Sequence, residues 1–219
     1  MFEIPQNFYL DSDETPFPSI DLALTEPNGL IGVGGGLSMG RLLDAYSQGI
    51  FPWYCDGEPI LWYSPNPRMV ITSDTLHISK SLTKIIQSNI FEIRNNYNFE
   101  NVINSCKNIN RENQSGTWIG NDMVSSYIEL HNNGYAHSVE VYENDELVGG
   151  LYGVAIGKVF FGESMFSIVS NASKVAFVHL LQNMDYKLVD CQVENSHLKT
   201  LGAYNISRSS FALLLKELL

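Results

Sequence analysis

The sequence predicts an α+β fold with a small, irregular N-terminal domain, and three observations support this prediction. About the first sixty of the 219 residues are rich in Pro and Gly, which indicates turns and loops around few regular elements. Beyond the segment 64–67, patterns typical of strands and helices alternate along the chain. Three of those strands follow one another across short turns, which indicates an antiparallel meander. We therefore predict a small domain over residues 1–63 and a larger one over residues 64–219.

One helix is expected in the N-terminal domain. Ser38 has a side chain preferred at helix N-caps, and Leu42, Ala45 and Tyr46 then fall on one apolar face. The glycine-rich segment 32–36 lies just before this helix. Backbone amides in a glycine nest can bind phosphate, but here no Lys-Ser/Thr pair follows and no Rossmann strand precedes. We therefore interpret this segment as a structural turn.

The larger domain opens with a strand and three helices. We predict the strand over residues 69–72 and the helices over 79–88, 99–107 and 121–132. The meander, a helix, a strand and a closing helix follow, over residues 137–142, 147–156, 159–163, 171–184, 187–193 and 209–218. Meander, helix, strand and helix in this order are typical of the acetyltransferase type of fold. The sequence therefore predicts an acetyltransferase-like (GNAT-type) domain.

Composition and charge exclude several classes of protein. The formal charge of -11 disfavours broad, nonspecific binding to nucleic acid, although a local basic patch remains compatible with it. The three cysteines show no CxxC or Cys/His ligand spacing, so we expect no metal site and a reducing, cytoplasmic location. No stretch of about 18 apolar residues occurs, so we expect no membrane span.

Two segments carry the chemistry that we consider most informative. Glu163 lies within the aromatic, methionine-containing run 160–166. Asp190 and Gln192 lie two apart on the predicted strand 187–193, so they would share one face at about 6.6 Å. A charge beside apolar surface is unfavourable unless a cation or a hydrogen-bonding group meets it. We therefore predict a cleft that binds an apolar group beside a positively charged one.

Tryptophans and basic residues are the candidates for contact with nucleic acid. Trp62 is interpreted as a core anchor, whereas Trp53 and Trp118 lie beside turns, where an exposed ring can stack on an unpaired base. The basic residues indicate either a solvated surface or a small phosphate-contacting patch: Arg68, Lys80, Lys84, Lys107 and Arg111.

The sequence does not indicate catalysis by a histidine base or a cysteine nucleophile. His137 and His197 have no matching nucleophile nearby in the sequence, so we interpret both as structural. Cys191 lies between Asp190 and Gln192 and would face the opposite side of the strand. We therefore expect a core cysteine there and not a nucleophile.

Many ordered segments of the chain resemble the leucyl/phenylalanyl-tRNA–protein transferase family. The resemblance spans roughly residues 16 to 211. Its segments include Glu26-Pro-Asn-Gly-Leu30, Gly49-Ile-Phe-Pro-Trp53, Ser64-Pro-Asn-Pro-Arg68, Thr117-Trp-Ile119, Ala136-His-Ser-Val-Glu140, Gly162-Glu-Ser-Met-Phe-Ser167, Asn171-Ala-Ser-Lys174 and Asp190-Cys-Gln-Val193. So many segments in one order make the resemblance highly specific.

The resemblance implies an enzyme that transfers Leu or Phe, and less well Met, from charged tRNA to proteins that begin with Arg or Lys. The modified proteins would then be marked for degradation. It implies catalytic roles for Glu163, Asp190 and Gln192 and requires no cofactor. It implies aminoacyl-tRNA binding, at the acceptor end, by Trp53, Trp118, Leu151, Met165, Phe166, Leu180 and Asn195.

A mechanism follows from these assignments as a hypothesis. The donor is an activated ester, so positioning of the acceptor amine can supply much of the acceleration. We hypothesise that Asp190 accepts a hydrogen bond from the Gln192 NH₂ group and so aims the Gln192 oxygen at the amine. Glu163 and Asp190 would together give the site a negative potential. The proton acceptor stays open between Asp190, water and the ribose hydroxyl.

Two other functions are the alternatives. An acetyltransferase-like fold also suits a coenzyme A-dependent N-acyltransferase. Residues 166–171, however, occupy the place of the acetyltransferase pyrophosphate loop and lack its basic residue and glycines. The other alternative is a non-catalytic reader of basic N-termini that uses Glu163 and Asp190 as a charge clamp.

Overall fold

The computed structural model describes residues 3–109 and 119–219, and its N-terminal part contains a small sheet. The strands are β1 (Tyr9–Leu10), β2 (Leu30–Gly34), β3 (Phe51–Pro52) and β4 (Leu61–Tyr63), and α1 (Met39–Ser47) lies between β2 and β3. Their order is β1-β2-β4-β3, with β1 parallel to β2 and the other pairs antiparallel. Pro and Gly content did not predict these short strands. The predicted helix is confirmed, and the Ser38 side chain accepts a hydrogen bond from the Arg41 N–H group.

The glycine-rich segment and Trp62 have the structural roles predicted for them. The backbone N–H groups of Gly34 and Gly35 donate to the carbonyls of Ile60 and Leu10, at 2.8 Å each. Trp62 is fully buried, and its indole N–H donates to the Gly34 carbonyl at 2.9 Å. The glycine amides therefore hold the N-terminal sheet together.

The remaining described residues form a seven-stranded sheet with helices on both faces. The strands are β5 (Arg68–Ile71), β6 (Glu92–Asn95), β7 (Ala136–Glu143), β8 (Glu146–Ile156), β9 (Val159–Ser167), β10 (Leu188–Asp190) and β11 (Tyr204–Ile206). The helices are α2 (Lys80–Gln87), α3 (Phe99–Asn108), α4 (Asn121–Asn132), α5 (Ala172–Asn183), α6 (Ser196–Lys199) and α7 (Arg208–Leu218). The strand order is β11-β5-β10-β9-β8-β7-β6, and only β9 and β10 pair in parallel.

The α+β class and the order of meander, helix, strand and closing helix are confirmed. The sheet separates two apolar clusters. One contains residues of α1, α3, α4 and α7 together with the N-terminal strands, and the other contains residues of α2, α5 and α6. The predicted domain boundary falls between β4 and β5 and stays a prediction. Within the described ranges, no helix has the length and apolarity that crossing a bilayer requires.

A β-bulge at Glu163 changes which side chains of β9 face each side of the sheet. Ser164 pairs with Tyr152 and Gly162 pairs with Gly153, so Glu163 is an extra residue without a partner on β8. Phe161 and Phe166 therefore face the same core although they lie an odd number of residues apart. Strict alternation along the strand would place them on opposite faces.

The predicted strand 187–193 is shorter than expected. Regular pairing of β10 ends at Asp190, and Gln192 has a left-handed backbone with φ +61°. The prediction that Asp190 and Gln192 share a strand face is therefore wrong. Hydrogen bonds still join this segment to β5: the Cys191 N–H donates to the Met69 carbonyl, and the Met69 N–H donates to the Gln192 carbonyl.

Candidate active site

A cavity of about 360 Å³ opens where the ends of β9 and β10 meet α5 and the segment 51–53. Eight of the ten predicted site residues line it: Trp53, Leu151, Glu163, Met165, Leu180, Asp190, Gln192 and Asn195. Trp118 lies outside the described residues. The fold thus brings together side chains that are up to 142 positions apart in the chain, and both apolar and polar groups line the cavity.

Phe166 is the predicted pocket residue that does not line the cavity. It is 3% exposed and packs in the apolar cluster on the other face of the sheet. Met165, the residue before it, lines the cavity, because neighbouring side chains on a strand point to opposite faces. Assigning both residues to one pocket was therefore wrong.

Apolar side chains that the sequence did not identify complete the inner part of the cavity. They are Phe160, Phe177 and Leu198. Phe177 lies three residues before Leu180 on α5, so helical spacing could have identified it. Phe160 lies five residues before Met165, and only the bulge at Glu163 puts these two side chains on the same face.

Trp53 stands at the mouth of the cavity. Its side chain is 41% exposed, and its ring meets the Tyr63 ring edge-on with centroids 5.8 Å apart. Its backbone N–H donates to the Leu61 carbonyl at 2.8 Å, which fixes the segment after β3. The Tyr63 ring therefore contacts the indole while much of the indole remains available for stacking.

Glu163 is the ionisable group whose burial matters most at this site. It is 7% exposed, and the Tyr127 hydroxyl donates to its Oε2 atom at 3.1 Å. The Gln192 Nε2 atom donates to its Oε1 atom at 2.8 Å. Burial raises the pKa of Glu163 to about 7, and the hydroxyls of Tyr46 and Tyr127 partly oppose this rise because they stabilise the ionised form. The carboxyl group is therefore poised to exchange a proton near neutral pH.

Tyr46 and Tyr127 are functional candidates that sequence reasoning missed. Both are fully buried, and their hydroxyls hydrogen-bond each other. Tyr46 lies on α1 and Tyr127 on α4, so no local pattern connects either residue with Glu163. Burial raises the pKa of both phenols well above the usual value, so both carry their protons at neutral pH.

Gln192 is held at both its backbone and its side chain. Its backbone N–H donates to Asp190 Oδ1 at 2.9 Å, and its side-chain NH₂ group donates to Glu163. The hypothesis that Asp190 accepts a hydrogen bond from the Gln192 NH₂ group is therefore wrong. Asp190 fixes the left-handed backbone of Gln192, whereas Glu163 orients its carboxamide.

Asp190 forms a buried ion pair with Arg68. Asp190 is 0% exposed, and it accepts hydrogen bonds from Arg68 Nε at 2.7 Å and from an Arg68 terminal nitrogen at 2.6 Å. The other terminal nitrogen donates to the Gly49 carbonyl at 3.0 Å. The guanidinium lies against the rings of Phe51 and Phe211, at 4.8 and 4.6 Å from their centroids. Arg68 therefore does not belong to a phosphate-contacting patch, and it neutralises the Asp190 charge that was expected to face the cleft.

Asn195 and Cys191 complete the polar side of the cavity. The Asn195 side chain caps α6 and accepts hydrogen bonds from the His197 and Leu198 N–H groups, at 2.9 and 3.3 Å. Cys191 is partly buried and packs against the apolar cluster that contains α5, as predicted, but it also lines the cavity, so the prediction that it faces away from Asp190 and Gln192 is wrong. Burial raises the pKa of its thiol well above the usual range, which disfavours the thiolate. Among residues 3–109 and 119–219, no three His, Cys, Asp or Glu side chains are grouped as metal ligands would be.

Comparison with known proteins gives a consistent result over nearly the whole chain. The model of the leucyl/phenylalanyl-tRNA protein transferase family matches residues 70–216, and the model of the N-terminal domain of that family matches residues 35–66. A protein named leucyl/phenylalanyl-tRNA--protein transferase from Nitrosospira multiformis is 53% identical over 94% of this chain and 90% of its own length. A relative of the same name from Flavobacterium johnsoniae is 53% identical over 92% of this chain and 95% of its own length.

One solved structure gives a weaker likeness. A GCN5-related N-acetyltransferase from Kribbella flavida aligns with a TM-score of 0.40 and 10% identity, over 77% of this chain and 61% of that one. A likeness at this level supports no argument. The family model and the relatives, in contrast, show that the chain belongs to the leucyl/phenylalanyl-tRNA protein transferase family and is an aminoacyltransferase.

Proposed function

We propose that the protein transfers Leu or Phe, and less well Met, from aminoacyl-tRNA to the α-amine of proteins that begin with Arg or Lys, and so marks them for degradation in the cytoplasm. One observation supports this most strongly: an apolar cavity opens directly beside the Gln192–Glu163 hydrogen-bonded pair. An apolar aminoacyl group and a basic chain end are the two ligands that such a site would bring together.

The apolar part of the cavity suits the donor side chain. Its volume of about 360 Å³ lies in the usual range of ligand pockets. The walls formed by Met165, Phe177 and Leu180 favour a side chain that is apolar and unbranched at Cβ, since a β-branched group is stiff at χ1. The exposed Trp53 ring would stack on the unpaired terminal base of the tRNA.

Gln192 would aim the acceptor amine. Its NH₂ group is engaged by Glu163, which leaves its carbonyl oxygen to accept a hydrogen bond from the amine. The α-amine has an unperturbed pKa of about 7.7–8.0, close to the raised pKa of Glu163 at about 7. Glu163 would therefore take the first proton from the incoming ammonium group at little free-energy cost. Asp190 would not serve as this base, because Arg68 binds both of its oxygens.

The transfer step then balances without any further reactant. The neutral amine nitrogen attacks the ester carbonyl carbon, forming the peptide bond, and the bond between that carbon and the ribose oxygen breaks. The second amine proton passes to the leaving ribose oxygen. Holding the amine and the ester in contact converts a bimolecular reaction into an effectively intramolecular one.

A transfer assay tests this proposal. The protein is incubated with Leu-tRNA and a peptide that begins with Arg, and the peptide is weighed by mass spectrometry. We expect the mass of one leucyl residue to be added, little addition when the peptide begins with Asp, and little when Val-tRNA replaces Leu-tRNA. Equal transfer from Val-tRNA and Leu-tRNA, or extension of every peptide regardless of its first residue, would contradict the proposed specificity.

A further inference from the structure

Two tyrosine hydroxyls and one carboxyl group are joined by hydrogen bonds in the interior of the protein. Tyr46 and Tyr127 are each fully buried, and the Tyr127 hydroxyl reaches Glu163 at 3.1 Å. Around them pack apolar side chains, including the Phe161 ring, whose centroid lies 5.2 Å from that of Tyr46. Buried polar groups are unfavourable unless they are hydrogen-bonded, so such a line of hydroxyls calls for a physical reason.

The direction of the hydrogen bonds follows from the number of protons. Each tyrosine has one proton to donate, and both phenols are protonated because burial raises their pKa values. Tyr127 donates its proton to Glu163, so the bond between the two hydroxyls must be donated by Tyr46. The two hydroxyls therefore form a ladder that runs from α1 through α4 and ends at the carboxylate. We call this pair the tyrosine ladder.

Donors engage both oxygens of Glu163. Tyr127 donates to Oε2 and Gln192 donates to Oε1. Groups that donate to a carboxyl favour its ionised form, whereas burial and the nearby Asp190 favour its protonated form and Arg68 favours its ionised form. These groups lie on α1, α4, β5 and β10, and Tyr152 on β8 also lines the cavity and acts on Tyr127.

Ionisation of Glu163 decides which way the Gln192 carboxamide points. An ionised carboxylate only accepts hydrogen bonds, so it binds the NH₂ group and leaves the Gln192 oxygen facing the cleft. A protonated Glu163 can donate instead, and it would then attract the Gln192 oxygen. In the free enzyme the carboxamide would then rotate and present its NH₂ group to the cleft, so an arriving ammonium group would meet another donor, and a carboxyl group that already holds a proton could not accept one from it. An amine already bound to the Gln192 oxygen would hold the carboxamide in place while Glu163 takes its proton.

We propose that Tyr46 and Tyr127 are positioning residues that favour the ionised form of Glu163 and thereby keep the Gln192 oxygen facing the acceptor amine. Neither tyrosine lines the cavity, so neither touches the substrates. The proposal rests on the proposed transfer reaction for its catalytic consequence. The effect of the two tyrosines on the ionisation of Glu163 does not depend on that reaction and can be measured on the protein alone.

The first test is a titration of the free protein. Glutamate carboxyl carbons are labelled with ¹³C, and the Glu163 signal is identified by its loss in Glu163→Gln. We expect Tyr127→Phe to move the Glu163 midpoint upward by about one to two pH units, because a hydrogen bond to a charged group is removed. Tyr46→Phe should also move it upward, because both hydroxyls favour the ionised form of Glu163. Tyr142→Phe is the matched control, since its buried hydroxyl donates to a different carboxyl, Glu140, and it should leave the Glu163 midpoint unchanged.

The second test is the pH dependence of kcat/KM for leucyl transfer. The amine of the peptide titrates identically in every variant, so differences between variants report the enzyme. We expect Tyr127→Phe to be impaired at pH 7 and to approach the wild-type rate near pH 9. A decrease in kcat/KM of Tyr127→Phe that is the same at every pH would overturn the proposed role of the tyrosine ladder. An unchanged midpoint of the Glu163 titration would do the same. If the wild-type protein transferred nothing, the proposed function would fail while the titration would still decide the electrostatic part.

Discussion

At the scale of single residues, Glu163 shows a conflict between stability and function. Burial raises its pKa to about 7, so at neutral pH only part of the molecules carry the charge, in a place that disfavours it. A group that exchanges protons near neutral pH is what an amine acceptor requires. The burial that makes the Glu163 carboxyl group suitable for proton exchange therefore also lowers the stability of the folded protein.

Replacement of Glu163 by Gln should stabilise the protein, increasingly so as the pH rises. Its folded pKa of about 7 exceeds the ordinary value of 4.5, so the folded state binds more protons between these values. The wild-type free energy of unfolding therefore falls as the pH rises from about 4.5 to about 7. Glu163→Gln does not lose stability in this way. Its free energy of unfolding should therefore exceed that of the wild type by roughly 3 kcal/mol at pH 8.

Urea unfolding at pH 4.5 and pH 8 measures this difference. Glu129→Gln is the control, because it removes a carboxyl group from an exposed position on α4, and it should change the free energy of unfolding little at either pH. A stability difference between Glu163→Gln and wild type that is the same at both pH values would contradict the burial argument.

At the scale of elements, local patterns predicted the helices and the meander but not the geometry of the site. Ser38 and the apolar face beside it identified α1, and the short turn at 157–158 identified the meander. The periodicity of residue types does not reveal a β-bulge. It therefore could not show that Glu163 has no pairing partner on β8 or that Phe166 faces away from the cavity. Likewise, the pattern of residues 187–193 gave no sign that β10 ends at Asp190, before Gln192.

Pairs between distant elements were beyond local reasoning. Arg68 and Asp190 are 122 residues apart and meet because β5 and β10 are neighbours in the sheet. The edge strand β6 (Glu92–Asn95) has no clear alternation of buried and exposed residues, so it gave no signal. The candidate residues themselves were found through family resemblance, whereas their partners required the fold.

The Arg68–Asp190 pair gives a prediction at this scale. Asp190→Ala should lower the free energy of unfolding by about 3–5 kcal/mol, because it leaves the Arg68 guanidinium buried without a counter-ion. Replacing both partners by apolar residues, in Arg68→Met/Asp190→Leu, should restore most of this stability but not the transfer rate. The reason is that the Gln192 N–H group loses its acceptor, Asp190 Oδ1.

Urea unfolding and the leucyl-transfer rate, measured on the same preparations, separate the two effects. Unchanged stability of Asp190→Ala would show that the pair is not buried as described. Full activity in the stabilised double variant would show that Asp190 does not position Gln192.

At the scale of the whole molecule, the candidate site is assembled from both ends of the chain. The N-terminal part supplies Trp53 and the tyrosine Tyr46, and α7 supplies the Phe211 ring that packs on Arg68. The apolar cluster that contains Tyr46 also contains residues of α3, α4 and α7. The geometry of the reacting groups therefore depends on docking of the N-terminal residues onto the larger sheet.

The central claim is that the cavity beside Gln192 and Glu163 holds the donor side chain, and filling that cavity tests it most directly. Equimolar Leu-tRNA and Phe-tRNA compete for one Arg-starting peptide, and the ratio of the two products is measured for wild type, for Leu180→Phe, and for the control Leu213→Phe, whose site is 67% exposed on α7. We predict that Leu180→Phe lowers phenylalanyl transfer relative to leucyl transfer by about tenfold or more, while the control leaves the ratio unchanged. An unchanged ratio in Leu180→Phe would contradict the claim.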